Sequence, residues 1–275
     1  MSDVIVWKVK EEQGQYDLEK LDATYETLDA ASLNLPRGVY TTFRTYRKRY
    51  FLRLEDHFVR LDESARLLGF EIGIDWMRFR NLLRIAIKEK RETRFRIHCT
   101  QEHTYLMAEA LHTPSPIDYQ QGVRVMIVHL QRQNPLAKQT SFIEQAADLR
   151  QKLPVGVHEA LMVGEQGEIL EGLSSNFFAV KNSCLYTAGT GVLQGVTQRV
   201  VMEIAQSKGV PLKTESVRVE TLSDIDEAFI TSASRGILPV RQVDDCWVGK
   251  EVPGPITKQL MAAYDAWIDH HVEPI

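Results

Sequence analysis

Apolar positions recur along the chain with two different periods. Leu54, Phe58, Leu61, Ala65 and Leu68 stand four, three, four and three residues apart, the spacing of one apolar helix face, and Gly69 follows as a stop. A second stripe, Trp76, Phe79, Leu83, Ala86 and Ile87, follows Asp75, whose side chain suits a helix N-cap. Alternating, β-branched and aromatic runs predict strands over 38–46, 50–54, 95–100, 104–111 and 123–130, with a hairpin tip at Arg47-Lys48-Arg49. Helices are expected over 141–153, from Gly195 to Lys208 with Gly209 as stop, and over 256–268. The stretch 158–187 reads as strands broken by turns at Gly164–Gly167 and Lys181-Asn182, and 229–232 as one more strand. Helices and strands mix without a βαβ rhythm, which predicts an α+β architecture in two parts.

The segment 112–122 carries Pro114 and Pro116 and no periodicity, so the chain is expected to divide there. The boundaries are read as a small N-terminal domain over 1–116, a linker over 117–122 and a larger C-terminal domain over 123–275.

Composition narrows the class. With 44% hydrophobic and 25% charged residues, the chain can bury a core and is not of the disordered kind. A formal net charge of -4 leaves no basic footprint for nucleic acid. No apolar run approaches the ~18 residues of a membrane span. Met1–Lys8 lack the basic and then apolar order of a signal peptide. Cys99, Cys184 and Cys246 are far apart and odd in number, so they suggest neither a disulfide framework nor a redox pair. A reducing cytoplasm is the expectation. No histidine pair has metal-ligand spacing with a carboxylate partner, and no metal is expected.

The candidate chemistry is scattered. Lys138 sits in Asn134-Pro-Leu-Ala-Lys-Gln-Thr140, where an apolar strand and a proline loop give way to a helix. A partly desolvated amine loses its proton more readily and becomes a nucleophile toward an aldehyde, although most lysines are simply solvated. Glu171 is a carboxylate of the kind that keeps a pyridine nitrogen protonated, or else an exposed strand-end residue. Gly195-Val196-Thr197 opens a predicted helix whose N–H groups suit an anion, and Thr231–Gly236 is a second hydroxyl-rich turn. Arg60 borders the first apolar stripe, where a guanidinium can turn inward onto a phosphate or lie on the surface. Tyr40, Thr42 and Arg44 share one face of their strand by the two-residue period.

In this order and spacing the pieces resemble the class IV, or fold type IV, pyridoxal-phosphate enzymes. That group comprises branched-chain aminotransferases, D-amino-acid aminotransferases and aminodeoxychorismate lyases. The matching stretches are 38–46, 54–65, 135–138, 171–177, 193–197 and 237–241. The resemblance implies pyridoxal 5'-phosphate as cofactor, held as a Schiff base on Lys138, with Glu171 at the pyridine nitrogen. It places Arg60, Val196 and Thr197 on the phosphate with Ser232 and Ser234 nearby. Tyr40, Thr42, Arg44 and Ala233 would meet the substrate. It also implies a small N-terminal α/β domain, a larger C-terminal domain with a barrel-like sheet, the cofactor between them, and a homodimer whose partner completes the pocket.

Within that group the markers diverge. Branched-chain enzymes resemble one another in a glycine where Thr42 stands and a tyrosine where Ile143 stands. Tyr40-Thr41-Thr42 is similar to the lyases, whereas the residues after Lys138 are not. Arg94, Arg96, His98 and His103 occupy the region of the D-amino-acid signature without reproducing it. The expected function is an aminotransferase that moves an amino group between an amino acid and a 2-keto acid. The alternatives are a lyase releasing pyruvate with the same cofactor, and a relative that keeps the fold without the cofactor.

Overall fold

Thr27, Asp75 and Ser115 each end an extended stretch with a side chain that accepts from the first turn of a helix, so three helix starts are set locally. In a computed structural model of the protein, residues 4–87 and 91–275 are described; residues 1–3 of the N-terminal reading lie outside them. The elements begin with β1 (Ile5–Glu12), β2 (Gln15–Lys20), α1 (Leu28–Leu33), β3 (Val39–Arg44), β4 (Tyr50–Leu52), α2 (Leu54–Leu67) and α3 (Trp76–Ala86). Next come β5 (Thr93–Cys99), β6 (Thr104–Ala110), α4 (Pro116–Gln121), β7 (Val123–Val128), α5 (Ser141–Gln151), β8 (Val157–Val163), β9 (Ile169–Gly172), β10 (Asn176–Lys181) and β11 (Cys184–Thr187). The chain continues through α6 (Val196–Ser207), β12 (Leu212–Lys213), β13 (Glu227–Ser232), β14 (Gly236–Val243), β15 (Cys246–Trp247), α7 (Pro255–His271) and β16 (Val272–Pro274).

Packing divides these residues into two units. The first joins the described residues up to His112 with Ala137–Gln145 and His270–Ile275, and the second comprises Thr113–Leu136 and Ala146–Asp269.

The first unit is built on an antiparallel five-stranded sheet in the order β2-β1-β6-β5-β3. One face buries Phe43, Phe95 and Ile97 against Phe58, Leu61, Phe79 and Leu83 of α2 and α3. Phe58 stacks on Trp76 with centroids 4.6 Å apart and meets Phe79 edge-on at 6.1 Å. The other face packs Val6 and Met107 against Leu28 and Ala31 of α1.

In the second unit a nine-stranded sheet runs β12-β11-β10-β13-β14-β7-β8-β9, with β15 on β14. Strand β9 pairs back onto β10 through Asn176 and Glu171, so β10, β13, β14, β7, β8 and β9 close a ring. Val125, Leu161, Phe177, Ile230 and Leu238 belong to its core. This is the barrel-like sheet expected for the larger part of the chain.

Several local expectations change. Residues 117–122, expected as a linker without regular structure, lie almost wholly in α4. Ser115 Oγ accepts from Asp118 N, the Asp118 carboxylate accepts from Ser115 N, and Pro116 takes the first position, where its missing N–H costs nothing. Strand 50–54 stops at Leu52, because Arg53 turns left-handed (φ 50°) ahead of α2. The expected hairpin closes at Tyr46–Tyr50, but the strand that pairs along β4 is β16, which follows directly on the end of α7 at His270 and His271. Strands β1 and β2 add to the expected set, with Trp7, Val9, Tyr16 and Leu18 alternating onto the core.

Phe58→Ala removes a fully buried ring with two aromatic neighbours. We expect a loss of about 3–5 kcal/mol, read as a lower urea midpoint in Trp fluorescence.

Candidate active site

In the first unit the segment around Lys138 is tied to the start of β3. Tyr40 N donates to Lys138 O at 2.9 Å, Thr140 N to Gly38 O at 2.9 Å, and Gly38 N to Thr140 Oγ1 at 3.0 Å. Lys138 N donates to Ser64 Oγ at 3.1 Å, and that hydroxyl donates to Arg60 O at 2.7 Å, which fastens the same segment to α2. Gly38 cannot be replaced freely, because a Cβ there would lie 2.0 Å from Cys99 O. The consequence is a placed amine: Lys138 Nζ lies 4.7 Å from the centroid of the Tyr40 ring.

Tyr40 and Thr42 do share one sheet face. Arg96, opposite Thr42 in register, covers the Tyr40 ring at 4.5 Å and donates from Nε to Thr42 Oγ1 at 3.2 Å. Its remaining donors reach Leu28 O, Ser32 Oγ and Asp29, so its charge is neutralised within the fold. Arg94 is likewise paired with Glu109. Arg44, further along β3, lies over the Tyr46 ring at 4.6 Å and donates to Thr45 O. Arg60 turns inward as expected and is 9% exposed, with Nη2 donating to Thr41 Oγ1 at 2.8 Å. Thr41 alternates with Tyr40 and Thr42, so Arg60 approaches β3 from the other face. His57 packs locally, its Nδ1 2.9 Å from the same hydroxyl.

The second unit gathers its candidates at the start of β10. Asn176 pairs with Glu171 on one side and Thr231 on the other. Its amide donates to Leu193 O at 2.8 Å and lies 3.5 Å from Glu171 Oε2. Glu171, 2% exposed, accepts from Leu193 N at 3.1 Å and forms an ion pair with Arg132 at 2.8 Å. A carboxylate this deep needs such a counter-charge. Two residues after Leu193, Gly195 opens α6, and a Cβ on it would lie 2.1 Å from Asn176 Oδ1. Val196 and Thr197 follow in the first turn, both buried.

Beyond Thr231, Ser232–Ser234 form a turn held by Arg235. Arg235 Nε donates to Ser232 Oγ at 3.0 Å, and Nη2 reaches Glu159 at 3.1 Å and Ser174 Oγ at 2.7 Å. Burial pushes the Glu159 carboxyl up, and Arg235 with the Ser174 hydrogen bond more than reverses this, leaving it below the ordinary carboxylate value. The Thr231 hydroxyl is buried without a hydrogen-bond partner among the described residues.

The family model described as amino-transferase class IV matches residues 38–243. The chain belongs to the class IV aminotransferases. A probable branched-chain-amino-acid aminotransferase of Thermotoga maritima is 30% identical over 244 residues, covering 86% of this chain and 88% of that protein. A D-alanine aminotransferase of Bacillus licheniformis is 26% identical over 244 residues, covering 82% and 86%. The crystal structure of a putative branched-chain amino acid aminotransferase from Thermotoga maritima superposes with a TM-score of 0.80 at 26% identity, over 96% of each chain.

Like other class IV aminotransferases, a family that works with pyridoxal phosphate, this one is a transaminase of fold type IV. These relatives favour amino-group transfer over the lyase alternative. Sequence reasoning missed the residues that hold these candidates in place: Ser64, Arg132, Glu159 and Arg235. Each is polar, buried or part-buried, and joined to a partner distant in sequence. The only local hint was an arginine at 132, between an apolar strand and the Lys138 loop.

His98 stands opposite Tyr40 in register, fully buried, with Nε2 2.9 Å from Pro36 O. Burial pushes its imidazole down to about 4, against a smaller upward pull from the Pro36 carbonyl. An unfolded His98 takes up its proton near 6.5 while the folded one waits until about 4, so the unfolded state binds more protons across that window. Stability from this residue is therefore full above pH 6.5 and falls by about 3 kcal/mol as pH drops to 4. His98→Gln should flatten that share of the acid loss, measured as the wild-type-minus-variant difference in urea midpoint at pH 7 and pH 4.5.

Proposed function

We propose that the protein is a transaminase whose reactive amine is Lys138 and whose amino donor is a small aliphatic amino acid. The observation that carries this reading is the placement of Lys138 Nζ against Tyr40 by the hydrogen bonds between 38–40 and 138–140. The named substrates of the relatives, branched-chain amino acids and D-alanine, are both aliphatic. Arg96, which touches both Tyr40 and Thr42, already holds Asp29, and Arg94 on the same strand holds Glu109, which fits such a donor.

The donor set fits pyridoxal phosphate. It contains a primary amine, a buried carboxylate with its own counter-ion, helix N–H groups beside Thr197, an inward guanidinium at Arg60, and the unpartnered buried hydroxyl of Thr231. When bound, the cofactor supplies an aldehyde and a ring that draws electrons away from the substrate α-carbon. Lys138 Nζ would hold the cofactor and, as a free amine, would take the proton from the substrate α-carbon. Glu171 keeps a proton on the ring nitrogen, and Arg132 and the Leu193 N–H hold its carboxylate in position. Arg60, Val196 and Thr197 bind the phosphate, with Ser232 and Ser234 beside them. Tyr40, Thr42, Arg44 and Ala233 shape the substrate's surroundings. Domains over 1–116 and 123–275, a homodimer and a cytoplasmic location complete the proposal.

Borohydride reduction of the cofactor-loaded protein, followed by peptide mapping, should label Lys138, and Lys138→Ala should abolish both the label and the visible absorption. A label on another lysine overturns the assignment. The same preparation, mixed with L- and D-amino acids, should lose its absorption with aliphatic donors of one hand and regain it with a 2-keto acid.

Arg60→Ala should lower cofactor affinity about ten- to a hundredfold, as expected for a charge-assisted contact of about 1.5–3 kcal/mol. Circular dichroism should remain native. Unchanged affinity would confine Arg60 to its bond with Thr41.

A further inference from the structure

Strand β7 is the middle of three parallel strands, with β14 on one side and β8 on the other. Both neighbours carry one extra residue at the same level. Val240 and Gln242 pair with Val123 and Arg124, which leaves Arg241 as the extra residue of β14. Val157 and Glu159 pair with Arg124 and Val125, which leaves His158 as the extra residue of β8. Bulges are rare between parallel strands, and they re-aim the side chain they insert. Here two of them flank Arg124, and all three basic side chains line one cavity of about 180 Å³.

The charges in this cavity do not balance. Arg124 and Arg241 are both half-buried, and the side chain of neither makes a hydrogen bond or ion pair among the described residues. The Nε of each is buried without an acceptor. Asp118 also lines the cavity, but its carboxylate is already engaged. Oδ2 accepts from Ser115 N at 2.8 Å and Ser115 Oγ at 2.7 Å, and Oδ1 lies 3.5 Å from His158 Nε2. Arg241 acts on Asp118 only at longer range. Two guanidiniums that line one cavity, each with a buried Nε and no acceptor, favour an anion between them.

We infer that this cavity is an anion site, in which Arg124 and Arg241 fork onto one small oxyanion of the phosphate or carboxylate kind with His158 at its edge. The volume is below the ~300–1,000 Å³ of sites for drug-sized ligands, which limits the occupant to a few heavy atoms. The site uses none of the residues assigned to transamination, so it is a second binding function of the second unit.

Calorimetric titration of the protein, with pyridoxal phosphate saturating in cell and syringe, tests this. The probes are inorganic phosphate, succinate and chloride at matched ionic strength. Phosphate or succinate should bind saturably at one site per chain, and whichever binds more tightly identifies the oxyanion. Arg124→Gln and Arg241→Gln should each weaken that binding at least tenfold. Without added anion, each variant should melt at or above the wild-type temperature, because the substitution relieves repulsion. Equal affinity in wild type and variants overturns the proposal, as does the absence of saturable heat from both oxyanions. A change of oligomeric state in the variants, with no anion effect, would assign the arginines to a carboxylate of a second copy and also overturn it.

Discussion

The backbone pairing between Gly38–Tyr40 and Lys138–Thr140 is the constraint on which the reactive half of the first unit depends. It exists because Gly38 has no Cβ, so β3 can pass within contact distance of Cys99 O while offering its N–H and C=O to Thr140. Lys138 is thereby taken out of the loop class to which its neighbours in sequence belong. Two rigid elements, β3 and α2, locate it through Tyr40 N and Ser64 Oγ. Backbone bonds fix where the Lys138 side chain starts, and the Tyr40 ring lies 4.7 Å from its Nζ.

Asn176 has the corresponding role in the second unit. It is the residue at which β9, β10 and β13 meet, and its one amide contacts both Glu171 and the Leu193 carbonyl. The strand that closes the barrel, the buried carboxylate and the start of α6 are therefore set by a single side chain. Its oxygen leaves no room for a side chain at 195. The Glu159–Arg235–Ser174 cluster then fixes the turn after β13. Ring closure of the sheet and assembly of the polar groups are one event, because the same residues carry both.

The legible part of this structure was the part that follows from short-range period. The stripes of α2 and α3 were visible because each buries one face against one sheet, and the Asp75 cap because its hydrogen bonds are two and three residues long. The order of the candidate residues was visible through their resemblance to a family. The supports were not, since Arg132, Glu159 and Arg235 look like any solvated charge until the fold brings a partner from elsewhere in the chain. The α4 helix was hidden by its prolines, one of which is favourable at its position. The hairpin tip at 47–49 was legible and closes on the Tyr46–Tyr50 pair, whereas the β16 partner of β4 comes from the far end of the chain and left no local sign.

That last pairing bears on how the protein is made. The first unit takes in Ala137–Gln145 and then waits for His270–Ile275, whose strand completes β4. On the ribosome the whole of the second unit emerges before the first can be finished. Phe51 and its neighbours in β4 therefore lack their β16 partner until the last residues emerge. Vectorial synthesis thus leaves one edge of the first-made unit to be closed by the last-made strand.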